Sequence, residues 1–167
     1  MGLAKFIIAG ATVAFLTGAV AESFASSQKG ISAFQRGKYE DALKYLEPAA
    51  EKGDAEALYY LGRMYSAGQG VAKDQQKATD FFKKAAEGGS AGAQQSLGSA
   101  LMLGEGIETD MIEALKWFII SARAGNKDAS NYAGRVARFM TRAQRLEARK
   151  KALAWQQAHK KTEPASN

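Results

Sequence analysis

Few side chains in this 167-residue chain could do chemistry, because the sequence has no cysteine and a single histidine, His159. A thiol nucleophile is therefore excluded, and so is a cluster of histidine ligands around zinc. Ser26 and Lys29 form a Ser-x-x-Lys string, in which a lysine can activate a serine for acyl transfer. The Ser-Asp-Asn and Lys-Thr-Gly strings that accompany this motif in enzymes are missing. We interpret the string as coincidence and expect no catalytic residue.

Two further features could hold a ligand, and neither has the required context. The Gly-x-Gly strings at 68–70 and 104–106 follow no predicted strand, which argues against a phosphate-binding loop. The acidic residues Glu105, Glu108 and Asp110 surround one loop, but their spacing does not match an EF-hand calcium loop. We therefore expect no cofactor and no metal site.

The segments that carry these strings repeat with a fixed period of 36 residues. A period of this size indicates stacked supersecondary units rather than one globular fold. Each unit is predicted to be two helices joined by a Gly-x-Gly loop. The identical residues are Ala55, Ala57, Leu61, Gly62, Gly68, Gly70, Asp74, Ala78, Phe82, Ala86 and Gly89, which recur as Ala91, Ala93, Leu97, Gly98, Gly104, Gly106, Asp110, Ala114, Phe118, Ala122 and Gly125.

Polar residues mark where the helices begin. Asp54, Ser90 and Asn126 lie one period apart, and each is a preferred N-cap residue for the first helix of a unit. Asp74 and Asp110 are placed to cap the second helices in the same way. The repeat therefore predicts helix starts as well as helix faces.

Glycines mark where the helices end and where they cross. Gly53, Gly89 and Gly125 suit the left-handed position that follows a helix. Gly62 and Gly98 lie in the middle of first helices, where glycine costs about 1 kcal/mol relative to alanine. We expect a neighbouring helix to come very close at both positions.

The pattern Ala-x-x-x-Leu-Gly-x-x-Tyr-x-x-Gly-x-Gly-Val-x-x-Asp-x-x-x-Ala at residues 57–78 resembles the Sel1-like repeat, a relative of the tetratricopeptide repeat. The match is strong over 55–89 and good over 91–125, where Leu101 replaces the equivalent of Tyr65. The resemblance implies an all-α fold, an α/α solenoid, and a protein-interaction role without catalysis. Some cysteine-rich members are linked to β-lactam binding or hydrolysis, which is not carried over to a chain without cysteine.

The solenoid is expected to contain about four units. The predicted units span 28–53, 54–89, 90–125 and 126–161 within a repeat domain at 22–161, and 162–167 is expected to be a disordered tail. The first unit is degenerate and carries Pro48 inside its second helix, where proline should kink the helix or loosen its hydrogen bonding. The last unit is expected to be a cap.

The capping unit should lack the regular loop. Its first helix is predicted over 128–139, and a capping box of Thr141 and Gln144 should start a closing helix at 142–159. The residues expected to anchor the closing helix are Leu146, Leu153 and Trp155.

Residues 1–21 have the pattern of a signal peptide. Lys5 supplies a positive charge, 6–20 are almost wholly apolar, and small residues precede a cleavage site after Ala21, with Ala25 as second choice. An uncleaved membrane anchor is the alternative. Together with the repeat type, the leader indicates an exported protein of the bacterial periplasm.

Charge is concentrated at the carboxyl end of a chain that carries +6 overall. Residues 135–167 hold nine basic and two acidic side chains, whereas 22–134 hold thirteen basic and fifteen acidic. Arg142, Arg145 and Arg149 are spaced to share one helix face, called here the basic face. It is either a solvated surface or a docking surface for an acidic partner or for anionic lipid headgroups. Nucleic acid is not expected.

The second candidate surface is the groove lined by the first helices. Tyrosine and arginine are favoured at binding hot spots, although a tyrosine beside such a groove is also explained by packing. The residues expected to face the groove are Glu56, Tyr59, Arg63, Gln95, Ser99, Asp128, Asn131 and Arg135.

The sequence therefore predicts an exported protein-interaction scaffold or regulatory adaptor that binds protein partners and no small-molecule substrate. Two alternatives remain open: a periplasmic hydrolase or β-lactam-binding protein, and a membrane-tethered assembly factor.

Overall fold

The computed structural model describes residues 8–160, so the first seven residues of the predicted leader and the predicted tail at 162–167 lie outside it. The described residues form eight α-helices and no strand. The predicted all-α fold class is confirmed. The helices are α1 Ile8–Gln35, α2 Tyr39–Glu51, α3 Ala55–Ala67, α4 Gln75–Glu87, α5 Ala91–Leu103, α6 Met111–Arg123, α7 Lys127–Ala137 and α8 Arg142–Lys160.

Consecutive helices pack as pairs, and the pairs stack. The pairs are α1 with α2, α3 with α4, and α5 with α6. Each pair meets the next through its second helix, so that α2 packs on α3, α4 on α5, and α6 on α7. This is the predicted α/α solenoid of about four units. One apolar core lies around Leu46, Leu61 and Met64, and a second around Leu97 and Phe118.

The predicted N-caps are confirmed. A side-chain oxygen of Asp54 accepts a hydrogen bond from the Ala57 amide at 2.8 Å, and the Asn126 side chain accepts one from the Ala129 amide at 3.1 Å. Asp110 accepts from two amides at the start of α6. Each cap satisfies amides that have no partner inside the helix.

The expected close approach at the helix glycines is also confirmed. A Cβ atom added to Gly62 would lie 2.6 Å from the Phe82 ring, and one added to Gly98 would lie 2.9 Å from the Phe118 ring. Real Cβ atoms do not come this close to a ring. Phe82 and Phe118 are one period apart, so glycine at these two positions lets the same ring seat against the backbone of the first helix.

The Gly-x-Gly loops turn as expected. Gly68 ends α3 with φ of 69° and Gly104 ends α5 with φ of 74°, both in the left-handed region. Only glycine adopts this conformation without a steric cost from Cβ. The loop can therefore return the chain directly into α4 or α6.

Pro48 does not interrupt α2, which runs continuously from Tyr39 to Glu51. Pro48 is exposed to solvent. The carbonyl that loses its hydrogen bond, that of Lys44, therefore lies on the solvent side of the helix, where water can satisfy it.

The closing helix α8 packs on α6 rather than on α7. The capping box at its start is confirmed: the side-chain oxygen of Gln144 accepts from the Thr141 backbone amide at 2.8 Å, and the Thr141 hydroxyl accepts from the Gln144 backbone amide at 3.3 Å. Gly134 occupies the position in α7 that Gly98 occupies in α5, yet a Cβ added there would meet nothing within 4 Å. The fourth unit is therefore not a regular helix pair.

The predicted anchors of α8 were partly wrong. Leu146 and Leu153 are 54% and 45% exposed, whereas Ala148 and Ala152 are fully buried. The small side chains of Ala148 and Ala152 let α8 lie close to α6. When this alanine face of α8 is buried, both leucines are left exposed to solvent. Trp155, the third predicted anchor, is half-buried and packs into the core.

Within residues 8–160, none of the helices combines the length and the apolar character that a membrane span needs.

Candidate functional site

The most distinctive feature among the predicted groove residues is Arg63, whose guanidinium lies over three aromatic rings. Its Cζ atom is 4.7 Å from the centre of the Phe34 ring, 5.2 Å from Tyr60 and 5.7 Å from Tyr59. Phe34 comes from α1, and the two tyrosines lie one turn before Arg63 in α3. Edge-to-face contacts at 5.1 and 5.3 Å join the rings. The rings hold the exposed cation in place by cation–π attraction.

Tyr59 is both a packing residue and part of this group. A Cβ on Gly92 would lie 2.7 Å from its Cζ atom, so α5 approaches closely against the ring. Burial raises the pKa of the Tyr59 hydroxyl, and the positive charge of Arg63 opposes that rise. The hydroxyl is therefore neutral at physiological pH and able to donate a hydrogen bond.

A second cation lies over a ring two periods further along the chain. The Arg135 Cζ atom is 5.8 Å from the centre of the Tyr132 ring. Tyr132 stacks on Phe118, with ring centres 5.4 Å apart and planes at 15°. Like Arg63, Arg135 is exposed and lies in the first helix of its unit.

The other predicted groove residues differ in their burial and their contacts. The side-chain oxygen of Gln95 accepts a hydrogen bond from the Asn126 side-chain nitrogen at 3.0 Å, which ties α5 to the start of α7. Ser99 is half-buried in α5. The remaining three, Glu56, Asp128 and Asn131, are exposed.

Sequence reasoning missed Phe34, Tyr60 and Tyr132. The signal was present, because Tyr60 and Arg63 recur as Tyr132 and Arg135 after two periods. Between them, the equivalent positions of the third unit hold Ser96 and Ser99. The first helices of the second and fourth units thus each carry a tyrosine–arginine group, and the first helix of the third unit has small polar residues at the equivalent positions.

The structure separates the three arginines predicted to form the basic face. Arg142 and Arg149 are exposed on α8. The Arg145 guanidinium instead donates to the carbonyl oxygens of Met140 at 2.6 Å and Ala137 at 3.2 Å. It therefore closes the carboxyl end of α7, where unpaired carbonyls and the helix dipole favour a cation.

An ion-pair group joins α8 to α6. Glu113 accepts hydrogen bonds from Lys151 at 2.8 Å and from Lys116 at 2.9 Å. Burial is the largest single influence on the Glu113 carboxyl and raises its pKa, but the two ammonium groups together outweigh burial and hold the pKa below its usual value. The same contact raises the pKa of Lys151.

The two residues of the Ser-x-x-Lys string both contact Tyr45 of α2. The Ser26 hydroxyl donates to the Tyr45 carbonyl at 2.9 Å, and the Lys29 ammonium lies 5.9 Å from the centre of the Tyr45 ring. Within residues 8–160, the His, Cys, Asp and Glu side chains form no group of three or more that could hold a metal ion.

The described helices form a repeat solenoid in which the loop and glycine pattern recurs from one helix pair to the next. The family model described as the Sel1 repeat matches residues 27–54, 55–90 and 91–126, and the chain belongs to this family. Sel1 repeats generally mediate protein–protein interaction, and the family is typically non-catalytic. A comparison with curated proteins found no match.

Solved structures with the same architecture include two Sel1 repeat proteins. A protective antigen of uropathogenic Escherichia coli strains, described as displaying an SLR fold, is 26% identical over 87% of this chain, with a TM-score of 0.76. A Sel1 repeat protein from Oxalobacter formigenes is 28% identical over 78% of the chain, with a TM-score of 0.65. The chain spans 34% of the first protein and 54% of the second.

The fold is also shared with Helicobacter pylori cysteine-rich protein B. That protein is 24% identical over 67% of this chain, which covers 89% of its length, and the TM-score is 0.60.

Proposed function

We propose that this chain is an exported scaffold or regulatory adaptor whose groove binds an acidic segment of a partner protein. The observation that carries the proposal is the exposed Arg63 guanidinium held over Phe34, Tyr59 and Tyr60. A cation fixed in this way loses little side-chain entropy when it pairs with a carboxylate. The surrounding rings add apolar area for a neighbouring side chain of the partner.

The second tyrosine–arginine group supports a segment rather than a single side chain as the ligand. Arg135 and Tyr132 lie on α7, two units away from Arg63 on α3. An extended chain lying along the groove would meet both cations, with the small Ser96 and Ser99 between them. A partner with two acidic residues separated by several others fits this spacing.

The basic face contributes to encounter rather than to the fixed contact. Arg142 and Arg149 are exposed, and they lie within residues 135–167, where nine basic side chains outnumber two acidic ones. Exposed charges of one sign steer an oppositely charged partner and raise the association rate. The same face suits peripheral contact with an anionic membrane surface.

Export is supported by the leader pattern of residues 1–21, and Sel1 repeat homologues are often secreted or periplasmic. Mass spectrometry of the native amino terminus tests this part. Cleavage after Ala21 or Ala25 is the expected result, and an intact Met1 would reject cleavage in favour of a retained anchor.

A crosslinked pull-down from the exported fraction tests the groove. Two double variants each remove two positive charges: Arg63→Ala with Arg135→Ala in the groove, and Arg142→Ala with Arg149→Ala on the basic face. We expect the groove variant to lose its partners at every ionic strength. The basic-face variant should capture less than the parent chain at low salt, and the difference should shrink as salt screens the steering charges. Partners retained by the groove variant would contradict the proposal.

A further inference from the structure

An open cleft of about 730 Å³ lies between α2 and α4, on the side formed by the second helices. Its floor is apolar and includes Phe81 of α4, which is half-buried. Three carboxylates and one ammonium surround the floor. The charged residues that line the cleft are Glu47, Glu51, Lys84 and Glu87.

One period further on, a helix of this chain covers the equivalent place. Trp117 of α6 is the counterpart of Phe81, and Trp155 of α8 packs edge-on against it, with ring centres 5.7 Å apart. Trp117 is only 5% exposed. The repeat therefore forms a site on its second-helix side where a further helix can pack. Within residues 8–160, a helix occupies this site in the third unit only.

Helix α8, which occupies this site in the third unit, shows which kind of helix the site accepts. Ala148 and Ala152 are fully buried where α8 crosses α6, and Trp155 follows on the same face. Lys151 lies beside this stripe and pairs with Glu113. The occupant is thus an amphipathic helix with small residues at the crossing, one large aromatic ring and basic flanks.

Charge favours the same kind of occupant in the open cleft. One period further along the chain, the positions of Glu47 and Glu87 are held by Lys83 and Arg123. With Glu51, these residues outnumber the one cation of the cleft, Lys84. An acidic rim around an apolar floor is complementary to a helix that is basic on its flanks and aromatic at its centre.

We propose that the α2–α4 cleft binds a basic amphipathic helix of a partner protein, with an aromatic side chain seated on Phe81. A second copy of this chain is not the occupant, because the apolar stripe of α8 is already buried against α6 in its own chain. The cleft adds a second surface to the scaffold, and it does not depend on the groove or on the basic face.

A synthetic peptide with the sequence of residues 141–160 is the probe, and the full chain is the receptor. Fluorescence anisotropy at low ionic strength measures the affinity. We expect the peptide to bind, and Glu47→Gln with Glu51→Gln to weaken binding by about fivefold, through the loss of two complementary charges. The control, Glu105→Gln with Glu108→Gln, removes two exposed carboxylates from a loop outside the cleft and should leave the affinity unchanged.

A second peptide carrying Trp155→Ala should bind at least about tenfold more weakly, because the aromatic anchor is lost. The proposal is overturned if the wild-type chain does not bind the peptide, or if the rim and control variants weaken binding equally. If the peptide instead displaced the chain's own α8 from α6, its binding would not depend on Glu47 or Glu51. That result would also overturn the proposal. Self-association of the chain that the rim variant abolishes would assign the cleft to a second copy instead. None of these results alters the pull-down test of Arg63 and Arg135.

Discussion

Trp155 of α8 meets Trp117 of α6 edge-on, with ring planes at 69° and centres 5.7 Å apart. The Glu113–Lys151 ion pair lies next to this contact, one turn earlier on both helices. Helix α8 therefore lies parallel to α6, and its side chains close the core of the third unit.

Replacing Trp155 with alanine should detach α8 from α6. We expect the free energy of unfolding to fall by about 2–3 kcal/mol, which is below the usual cost for a fully buried tryptophan because Trp155 is half-buried. Hydrogen exchange should speed up in 142–160 and stay unchanged in α3 and α4. Leu153→Ala is the control, since an exposed leucine should change stability by no more than about 0.5 kcal/mol. Equal effects of the two changes would mean that Trp155 is no anchor.

Two glycines one period apart should respond to alanine with opposite signs. Gly98→Ala should destabilise the chain by about 1–3 kcal/mol, because the new Cβ would lie 2.9 Å from the Phe118 ring. Gly134→Ala should stabilise it by about 0.5–1 kcal/mol, because the site is open and alanine is the better helix former. Urea denaturation measures both. A destabilising Gly134→Ala would show that α8 packs on α7 in solution.

Stability should depend on the charge of Glu113 at acid pH. The folded chain holds the pKa of Glu113 below its usual value of 4.5, so the contribution is present above pH 4.5 and is lost as the pH falls through the lowered pKa. Glu113→Gln should therefore lower stability at pH 7 by roughly 0.5–1 kcal/mol, and the difference from the parent chain should vanish in strong acid. Urea midpoints between pH 2 and 7 give the comparison. A difference that stays constant with pH would rule out the ion pair as its cause.

Arg145 and Arg149 lie one turn apart on α8 but should differ in their effect on stability. Arg145→Ala should cost about 1–2 kcal/mol, because it leaves two carbonyls at the end of α7 without their charged donor. Arg149→Ala removes the same charge from an exposed position and should be neutral within about 0.5 kcal/mol. Thermal unfolding of both variants is a sufficient test, and equal shifts in Tm would contradict the structural role of Arg145.

The sequence predicted the features that depend on short-range chemistry. The caps at Asp54 and Asn126 and the close approach at Gly62 follow from residue types within one unit, and the repeat shows each of them more than once. The position of α8 was not predictable in this way. The Gly-x-Gly loop is missing before α8. Whether α8 buries its leucines or its alanines depends on how closely it can approach α6.

The candidate site was predicted in part, for a similar reason. Arg63 and Tyr59 were found from their positions in the repeat. Phe34 was missed because the first unit has a shorter loop, from Gly37 to Ala42, which breaks the alignment with the later units. The contact between Phe34 and Arg63 joins two units and becomes visible only when the helices are placed.

The return of α8 onto α6 determines where this solenoid can change in length. Helix α6 contacts α5, α7 and α8. An extra repeat inserted after α6 would therefore separate the closing helix α8 from the surface of α6 on which it packs. An extra repeat inserted between α4 and α5 would meet only the ordinary stacking surfaces of its neighbours. We therefore expect an added repeat to be tolerated upstream of α5, because α8 would keep its contacts with α6 in the third unit.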